Sequence, residues 1–551
     1  KGQLVREIDA LGGEMGRMID RAALQIRLLN SSKGPAVQAL RAQADKRLYS
    51  GLMKLELEQT PNLDVKQARV DELLLQEGAV AGVRTSLDQH YQARTVIVTT
   101  GTFLRGRLIT GDTLREGGRE GEGAAYALSD SFRDFGFELG RLKTGTPPRV
   151  DARTIDFSET MIQPGSDVPL FFSHSYPEAG LLPPENWMAR LGPPLPLYPL
   201  PEAGLGEWRP QLPCYLVQTN EAFHDIVRQN LDRAPMFSGI IEGVGPRYCP
   251  SIEDKIVRFA EKPSHGFFLE PEGWQTTEVY VQGCNTSLPA DAQLDMIRTI
   301  PALRHAEIMR IGYAVEYDYV LPHQLHPTLE TRAIEGLFHA GQLNGTTGYE
   351  EAAAQGLVAG INAALKVQGR PPFVMGRDES YIGVLIDDLT TSEIREPYRQ
   401  MTGRAEFRLL LRQDNADLRL TPHGYEVGLV PRAHHETVEA RRTAVKRELA
   451  RLERTFMTPG QHNEGLEAMG FDRLSDGVNA LQFLRRPEVG YGMIASLVPP
   501  DTALPEAVGQ QVNIQAKYAG YVEKQQQQVE RMRRLETRRI PPTMQFDDMR
   551  G

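Results

Sequence analysis

The stretch HAGQLNGTTGYEEAAAQG, residues 339–356, is a glycine-rich loop that opens onto an alanine-rich helix. Gly341, Gly345 and Gly348 allow the backbone to pass close to a ligand without Cβ clashes. The unpaired N–H groups and the positive dipole end of the following helix favour a phosphate or an electron-rich ring. The glycines alone would also fit an ordinary helix with an elaborate N-terminal loop, but the preceding residues 336–341, GLFHAG, read as a strand. Because strand, glycine loop and helix act together in cofactor binding, the stretch predicts a cofactor loop.

A glycine fingerprint of the form GxGxxG normally lies on the first strand–helix turn of a dinucleotide-binding fold. Residues 118–128, GREGEGAAYAL, contain Gly121 and Gly123 but follow no predicted strand. No other unit of strand, GxGxxG and helix is recognisable in the sequence. We therefore expect the first half of the cofactor site to precede Lys1, and the chain to be incomplete at both ends.

The composition is that of an ordinary globular protein, with 551 residues, of which 40% are hydrophobic and 24% charged. This length allows two to four domains. No apolar run approaches the roughly 18 residues that span a bilayer, and no signal peptide is recognisable, so we expect a cytoplasmic protein without a membrane segment. The net charge of −10 argues against a basic coat but allows a local basic patch that binds nucleic acid.

Hydrophobic spacing divides the chain into regions of different character. The first, with apolar residues at 4, 5, 8 and 11, predicts an amphipathic helix that ends at residues 12–13. The other expected regions are a small β-meander over 63–101, a proline-rich extended insert at 164–213 that covers the core without joining it, a mixed region at 214–305, and long amphipathic helices over 435–456 and 521–539.

Several longer strings match one known family. They are RAQADKRLY (41–49), GRLKTGTPPRVDARTIDFS (140–158), EGVGPRYCPSIEDKIVRF (242–259), IGYAVEYDY (311–319), AGQLNGTTGYEEAAAQG (340–356), REPYRQMTGRAEFRLLLRQDNADLRLT (395–421) and QAKYAGYVEKQ (515–525). On these strings the chain resembles the tRNA uridine 5-carboxymethylaminomethyl modification flavoproteins, the MnmG/GidA family. The resemblance extends from end to end apart from the proline-rich insert.

The resemblance implies an α/β fold built on a glutathione-reductase-like FAD-binding domain that is split in sequence. An α/β domain is inserted into it, and a helical region follows at the C-terminus. The expected boundaries are 1–115 and 306–394 for the two parts of the FAD-binding domain, 116–305 for the inserted domain, and 395–551 for the helical region that binds tRNA and partner.

The resemblance also implies an enzyme that uses FAD and NADH to add a carboxymethylaminomethyl or aminomethyl group at C5 of the wobble uridine in tRNA. Methylenetetrahydrofolate would be the one-carbon donor. The family forms a homodimer and works with a partner GTPase, MnmE, as a heterotetramer. Three alternatives stay open: a folate- and FAD-dependent tRNA uridine methyltransferase, which the arginine-rich region after 395 argues against; a disulfide reductase, which would need a CxxxxC pair; and a non-catalytic tRNA-binding flavoprotein fragment.

Cys249 is the candidate catalytic thiol. A lone cysteine is most often a small buried hydrophobe, but Arg247 and Lys255 flank this one in sequence, and cations raise the thiolate fraction of a thiol. With the resemblance, Cys249, Arg247 and Lys143 become the candidate catalytic residues. Cys214 and Cys284 match no functional pattern and are expected to be structural.

The resemblance assigns residues to both nucleotide cofactors. Ala125 stands where the family usually has a serine that contacts FAD. The FAD-binding residues that it implies are Val70, Ala125, Gly341, Gln342, Gly345, Thr347 and Glu350. Those implied for NAD are Gly245, Pro246, Arg247, Tyr248, Cys249, Pro250, Ser251, Ile252, Glu253, Asp254, Lys255, Ile256, Val257, Arg258 and Phe259.

The NAD segment has a local interpretation of its own. Ser251 should begin a helix whose first turn carries Glu253 and Asp254. Those acids suit the helix dipole but discourage a phosphate at the same place.

Two sets of arginines are candidates for anion binding. Arg141 and Arg149, with Lys143, surround a turn stiffened by glycine and proline, and the resemblance suggests contacts to an anion beside the flavin, a tRNA phosphate or folate. The second set is Arg404, Arg408 and Arg412, whose spacing of four predicts one helix face that could follow a tRNA backbone. Solvated surface charges are the ordinary alternative for both sets.

Overall fold

The structure, a computed structural model, describes residues 1–175, 192–202, 204, 208–245 and 250–537. Within these ranges, no helix is both long enough and apolar enough to cross a membrane. The helices of this part of the chain are α1 Gly2–Ala10, α2 Met15–Ala22, α3 Lys46–Gln59, α4 Tyr126–Asp134, α5 Glu221–Gln229, α6 Ile252–Arg258, α7 Ala290–Arg298, α8 Tyr349–Val367, α9 Tyr381–Thr391, α10 Ala416–Glu426, α11 Arg432–Arg454, α12 Pro459–Ala468, α13 Ala480–Leu484, α14 Tyr491–Leu497 and α15 Glu506–Glu536.

The strands are short. They are β1 Ala23–Leu29, β2 Ala39–Ala44, β3 Val70–Gln76, β4 Ala79–Thr85, β5 His90–Gln92, β6 Val96–Val98, β7 Arg107–Thr110, β8 Thr113–Glu116, β9 Leu139–Thr146, β10 Arg149–Asp151, β11 Met161–Gln163, β12 Cys214–Gln218, β13 Gly266–Pro271, β14 Glu278–Gln282, β15 Ile308–Arg310, β16 Tyr313–Val320, β17 Leu337–His339, β18 Phe456–Met457 and β19 Val478–Asn479.

The predicted split of the cofactor domain is reflected in one strand pair. β6 lies early in the chain and β17 past its middle, yet they pair in parallel with Val98 opposite His339. The antiparallel meander β3-β4-β5 adjoins them, since Val80 N–H donates to Glu335 O at 2.8 Å. The meander begins at Val70 rather than at the predicted residue 63. Val70 is the first residue of β3 that pairs with β4, opposite Thr85, and residues 61–69 are exposed.

A four-stranded antiparallel sheet, in the order β8-β7-β16-β9, links the predicted domains. β9 lies in the predicted inserted domain and β16 in the second part of the FAD-binding domain, but they pair along the whole of both strands, from Tyr313 with Thr146 to Val320 with Leu139. The domain boundaries therefore stay a prediction. The predicted inserted domain and the predicted FAD-binding domain both contribute strands to this sheet.

The inserted region has its own sheet and core. Six strands follow the order β11-β12-β13-β14-β10-β15. Tyr215, Phe267 and Val279 from this sheet and Phe223 from α5 are fully buried in one apolar cluster. The predicted mixed α/β organisation of 214–305 is confirmed.

The proline-rich insert was expected to cover the core without joining it, and for its described residues this is wrong. Phe172, Tyr198 and Leu212 are at most 4% exposed. Tyr198 and Leu212 belong to the apolar cluster of the six-stranded sheet, and the Tyr198 hydroxyl donates to Thr276 O at 2.6 Å. The insert also contacts the six-stranded sheet through its backbone, since the Tyr215 hydroxyl donates to Pro199 O at 2.9 Å. Residues 176–191, 203 and 205–207 of the insert lie outside the described residues.

The C-terminal region is helical, as predicted. α11 and α15 overlap the two predicted amphipathic helices. The prediction overran α11 by two residues, since Phe456 begins β18, and residues 538–539 of the second prediction lie outside the described part. Val445 and Leu452 of α11 pack with Val512 of α15 and Phe483 of α13 in a separate apolar cluster. The α/β class with a helical C-terminal region is confirmed.

Candidate functional site

The glycine loop connects β17 to α8 through one turn of 3-10 helix, Gly341–Asn344. Gly341 and Gly345 have φ of +80° and +79°, a region that favours glycine. A Cβ on Gly345 would lie 3.3 Å from the Tyr319 ring. The predicted succession of strand, glycine loop and helix is confirmed, and Gly345 is required for both its backbone angle and its close packing.

Gln355, a fully buried residue of α8, holds the loop against the helix. Its Oε1 accepts hydrogen bonds from Gly341 N at 3.2 Å and Asn344 Nδ2 at 2.9 Å. Its Nε2 donates to Thr346 Oγ1 at 2.9 Å, and Thr346 Oγ1 donates to Gly341 O at 2.8 Å. The loop is therefore pre-organised by the protein itself. The role of Gln355 was not predicted from the sequence, although a lone amide on a buried alanine-rich helix face was a signal for it.

The carboxyl ends of β6 and β17 meet beside this loop. Ala340 N–H donates to Val98 O at 3.1 Å. A Cβ on Gly101, just after β6, would lie 3.4 Å from Gln342 Oε1. Ligands of open α/β folds bind outside the carboxyl ends of parallel strands, so the half-buried Gln342 lies where a ligand is expected.

Val70 and Ala125, two predicted FAD-binding residues that are distant from the glycine loop in sequence, lie near it in the fold. Leu343 of the loop is buried in an apolar cluster with Val98 and Leu104, and Val70 and Ala125 pack against that cluster. The structure therefore brings both residues towards the loop.

The first turn of α8 is strongly charged. Glu351 is fully buried, and its carboxylate contacts Lys1 Nζ at 2.9 Å and accepts from Gln400 N at 3.1 Å. Glu350 contacts the same amine at 3.2 Å. The sequence predicts that this helix end binds either a phosphate or an electron-rich ring. Two carboxylates here disfavour the phosphate, so the ring is the favoured ligand.

His339 directly precedes the loop and makes a pH dependence measurable. The ring is fully buried against Phe132, with centroids 5.1 Å apart, and burial lowers its pKa to about 3 from an ordinary 6.5. Between these values the unfolded chain binds a proton that the folded chain does not. The contribution of neutral His339 to the free energy of unfolding is therefore complete above about pH 6.5. It is lost as the pH falls towards 3, by about 1.4 kcal/mol per pH unit.

We therefore expect the difference in unfolding free energy, His339→Leu minus wild type, to grow by about 2 kcal/mol between pH 6.5 and 5. Denaturant titrations of both proteins at several pH values measure it, and the subtraction cancels the other titrating groups. His90→Leu, at an exposed ring of β5, is the control for the substitution itself. Parallel curves for His339→Leu and wild type would contradict the expectation.

Lys143 lies on the opposite face of β9 from the glycine loop. Its neighbour Leu142 comes within 3.9 Å of a Cβ placed on Gly345, and side chains alternate between the faces of a strand. Lys143 is 3% exposed, and burial lowers the pKa of its amine, partly opposed by the charges of Glu253 and Asp254. Lys143 therefore lies near the NAD segment. The four-stranded sheet separates it from the glycine loop.

The NAD segment forms the predicted helix. Ser251 is the N-cap of α6 and its hydroxyl accepts from Asp254 N, with both acids in the first turn. A Cβ on Gly245 would lie 3.6 Å from Lys143 Cδ. Pro246, Arg247, Tyr248 and Cys249 lie outside the described residues.

The other two cysteines are buried thiols, as expected of structural residues. Burial raises the pKa of Cys214 to about 12, and it also raises the pKa of Cys284. Neither has thiolate character near neutral pH.

Arg141 and Arg149 are neutralised by carboxylates. Arg141 Nη1 contacts Asp318 at 2.6 Å and its Nη2 contacts Glu316 at 3.1 Å. Arg149 pairs with Glu272 at 3.1 Å and lies 4.8 Å from the Tyr280 ring centroid. The charge available to an external anion here is smaller than the sequence suggested.

The predicted helix face of Arg404, Arg408 and Arg412 is wrong. Residues 405–412 form turns and irregular backbone rather than a helix. Arg412 is 3% exposed and contacts Asp414 at 3.1 Å. Arg404 lies over the Tyr398 ring at 4.6 Å, and Arg408 is exposed. The three guanidinium groups do not form one stripe.

Comparisons with known proteins agree with this architecture. The sequence profile of a family described as glucose inhibited division protein A matches residues 1–185 and 203–371. A second profile, the tRNA modifying enzyme MnmG/GidA C-terminal helical domain, matches residues 432–526.

Individual relatives match along the whole chain. The tRNA uridine 5-carboxymethylaminomethyl modification enzyme MnmG of Chloroflexus aurantiacus is 59% identical, covering 100% of this chain and 84% of the relative. The enzyme of the same name from Exiguobacterium sibiricum is 51% identical, with 100% and 83% covered. The crystal structure of Aquifex aeolicus GidA in form II has a TM-score of 0.85 at 41% identity, covering 100% of this chain and 83% of that one. With its glycine loop, its split strand pair and its helical C-terminal region, the chain belongs to the MnmG/GidA family of tRNA uridine modification enzymes.

Proposed function

We propose that the protein is an FAD- and NADH-dependent enzyme that adds a carboxymethylaminomethyl or aminomethyl group at C5 of the wobble uridine in tRNA. The observation that carries the proposal is the pre-organised glycine loop at the carboxyl ends of β6 and β17. The relatives named for this modification match the whole chain at 50–59% identity. Methylenetetrahydrofolate is the proposed one-carbon donor.

The residues of the loop suit a flat aromatic cofactor. Gly341 and Gly345 present backbone where side chains would intrude, and the carboxylates of the α8 first turn favour a ring over a phosphate. Gly341, Gln342, Gly345, Thr347 and Glu350 would hold FAD, together with Val70 and Ala125. FAD would supply the redox chemistry that the protein side chains lack.

The protein's own groups would position and activate the uridine. Cys249 would act on the uracil ring as a nucleophile or as a proton donor, with Arg247 favouring its thiolate. Lys143 is a buried amine with a lowered pKa, suited to accept a proton or to pair with an anionic group.

The segment 245–259 is the proposed NADH site. The first turn of α6 carries Glu253 and Asp254, and Asp254 contacts Arg258 at 2.8 Å. We assign the nicotinamide end of the dinucleotide, rather than its phosphates, to this turn because the acids repel phosphate.

The proposed partners follow from the family. They are tRNA, a second copy of the chain in a homodimer, and the GTPase MnmE in a heterotetramer, all in the cytoplasm. Of the three arginines predicted for tRNA, Arg404 and Arg408 are exposed enough to contact its phosphates, and Arg412 would act through its neighbours.

Complementation tests the function directly. The gene would be expressed in bacteria that lack the wobble modification, and the nucleosides of their tRNA would be analysed by mass spectrometry. We expect 5-carboxymethylaminomethyl or 5-aminomethyl uridine derivatives to return with the gene and not with an empty vector. Unmodified uridine at adequate expression would contradict the proposal, and 5-methyluridine would identify the methyltransferase alternative.

Substitution of Gly345 tests the cofactor loop. Gly345→Val should lower the flavin absorbance of the purified protein to near zero and cost at least about 1–2 kcal/mol of stability, because the left-handed angle and the Tyr319 ring both oppose a side chain. Absorbance spectra and thermal unfolding measure the two effects. Gly360→Ala on α8 is the control: apart from the backbone of its own helix, the described residues place no atom within 4 Å of the added Cβ, so flavin content should not change. Full flavin content in Gly345→Val would contradict the assignment.

A further inference from the structure

Glu316 is a buried carboxylate at the centre of the four-stranded sheet. On β16 it is paired in register with Arg107 of β7 on one side and Lys143 of β9 on the other. Its side chain is fully buried, and its Oε2 accepts from Arg107 Nε and Arg141 Nη2, each at 3.1 Å. Burial alone would raise the pKa of this carboxyl, but the hydrogen bonds from Arg107 and Gly243 hold it below its ordinary value. Glu316 is therefore charged.

The second oxygen of Glu316 holds a neighbouring backbone segment. Oε1 accepts from Glu242 N at 2.7 Å and also from Gly243 N. The following residue, Val244, is tied to β9: Lys143 N donates to Val244 O at 2.9 Å, and Val244 N donates to Arg141 O at 3.3 Å. Residues 242–245 thus lie along the edge of β9, held by two backbone hydrogen bonds to that strand and by the Glu316 carboxylate.

Gly243 is adapted to this contact. A Cβ at this position would lie 2.9 Å from Leu142 C and 3.0 Å from Glu316 Oε1. Any side chain at 243 would push the segment away from β9 and from the carboxylate. Two independent features, the buried acceptor and the missing side chain, therefore maintain the same close approach.

We propose that Glu316 is a positioning residue, whose carboxylate keeps residues 242–245 on β9 and so holds Gly245 beside Lys143. The inference rests on the proposed function, since that function makes Lys143 catalytically important. Glu316 itself acts through the backbone segment. Its loss should let the segment leave β9, so that the start of the NAD segment is no longer fixed against the amine.

Asp318 provides a matched control on the same strand. It is 1% exposed and shares Arg141, with 2.6 Å between Arg141 Nη1 and Oδ1. Its other oxygen accepts from Ser129 Oγ at 2.5 Å and Arg133 Nη2 at 2.7 Å. Among the described contacts of its carboxylate, none is to residues 242–245. Glu316→Gln and Asp318→Asn therefore remove the same charge from the same arginine cluster, but only the first affects the segment.

The first measurement is hydrogen exchange followed by mass spectrometry on peptides that cover 242–245. All described partners of the Glu316 carboxylate are hydrogen-bond donors. In Glu316→Gln, the side-chain N–H₂ faces either the arginines or the two backbone N–H groups and cannot accept from them, so one half of the contact is lost. We expect exchange at these amides to be at least about tenfold faster than in wild type. Asp318→Asn should change it less than about threefold. Unchanged exchange in Glu316→Gln, or equal acceleration in both variants, would overturn the proposal.

The second measurement is the rate of tRNA modification. We expect Glu316→Gln to lower kcat about 10²-fold, as a displacement of about 1 Å can, with KM for tRNA within about twofold, since no tRNA contact is removed. Gly243→Ala keeps the carboxylate and displaces the segment, so it should reproduce both effects even if Glu316→Gln fails to fold. A normal kcat in Gly243→Ala with accelerated exchange would also overturn the proposal.

The two hypotheses fail in different ways. Hydrogen exchange requires no substrate, so it reports on the contact whatever the enzyme does. Absence of tRNA modification by the wild-type protein would refute the proposed function and leave the exchange result unaffected.

Discussion

Cys249→Ser is expected to lower the rate of tRNA modification by about 10²- to 10⁴-fold, the range associated with loss of a group that transfers a proton or attacks in the transition state. A hydroxyl is far less acidic than a thiol beside cations, so serine cannot replace the thiolate. The expectation comes from the sequence, because Cys249 lies outside the described residues. Single-turnover assays with undermodified tRNA, followed by nucleoside mass spectrometry, measure it.

The other two cysteines are matched controls for this substitution. Cys214 and Cys284 are buried, and their thiols have raised pKa values. Cys284→Ser should lower the melting temperature, because it puts a hydroxyl into the apolar cluster of the six-stranded sheet. Cys214→Ser should lower it less, because Gln25, Arg27 and Arg41 line the cavity beside Cys214. The modification rate of their folded fraction should stay within about threefold of wild type. A wild-type rate for Cys249→Ser would remove this residue from the catalytic set.

Glu7→Ala is expected to destabilise the protein by about 3–5 kcal/mol, since it removes one partner of a buried ion pair. Glu7 of α1 is fully buried, and Arg419 Nη2 of α10 contacts its Oε1 at 2.9 Å. The same carboxylate accepts from Tyr381 N and Ile382 N, each at 3.0 Å, at the start of α9. Alanine leaves two helix N–H groups without their acceptor and leaves a cavity. The half-buried Arg419 loses its carboxylate partner but keeps Asn415 Oδ1, Glu379 O and Arg412 O as acceptors.

Urea titration at neutral pH measures this loss. Glu58→Ala on α3 is the control, because the Glu58 side chain is 48% exposed and only 3.5 Å from Lys54, an exposed pair of about 0.3–0.5 kcal/mol. A loss below about 1 kcal/mol for Glu7→Ala would contradict the expectation and indicate that the remaining acceptors of Arg419 compensate for the lost carboxylate.

Much of the cofactor loop could be predicted from the sequence because its causes are local. Glycines at 341 and 345 permit backbone angles that other residues resist, and the alanines that follow favour a helix. The long helices α11 and α15 were predictable for the same reason, since apolar spacing identifies the face that packs. The meander was found by its alternation, and its start was misplaced because only strand pairing decides where a strand begins.

The arginines at 404–412 demonstrate where local pattern fails. Their spacing fits a helix, but the segment forms turns, and some of its backbone groups are bonded instead by the Gln525 side chain of α15. Leu409 N donates to Gln525 Oε1 at 3.2 Å, and Gln525 Nε2 donates to Glu406 O at 2.9 Å. Since these partners satisfy the peptide groups, no helix is needed.

Charges at the candidate site were likewise decided by tertiary structure. Arg141 and Glu316 are distant in sequence, and only the pairing of β9 with β16 brings them together. The sequence by itself determined the family, the class of fold and the glycine loop, because these depend on residue types at fixed local spacing. The tertiary structure alone decided which charges are neutralised, how Gln355 shapes the loop, and that Lys143 faces the NAD segment rather than the glycine loop, because those depend on which strands and helices become neighbours.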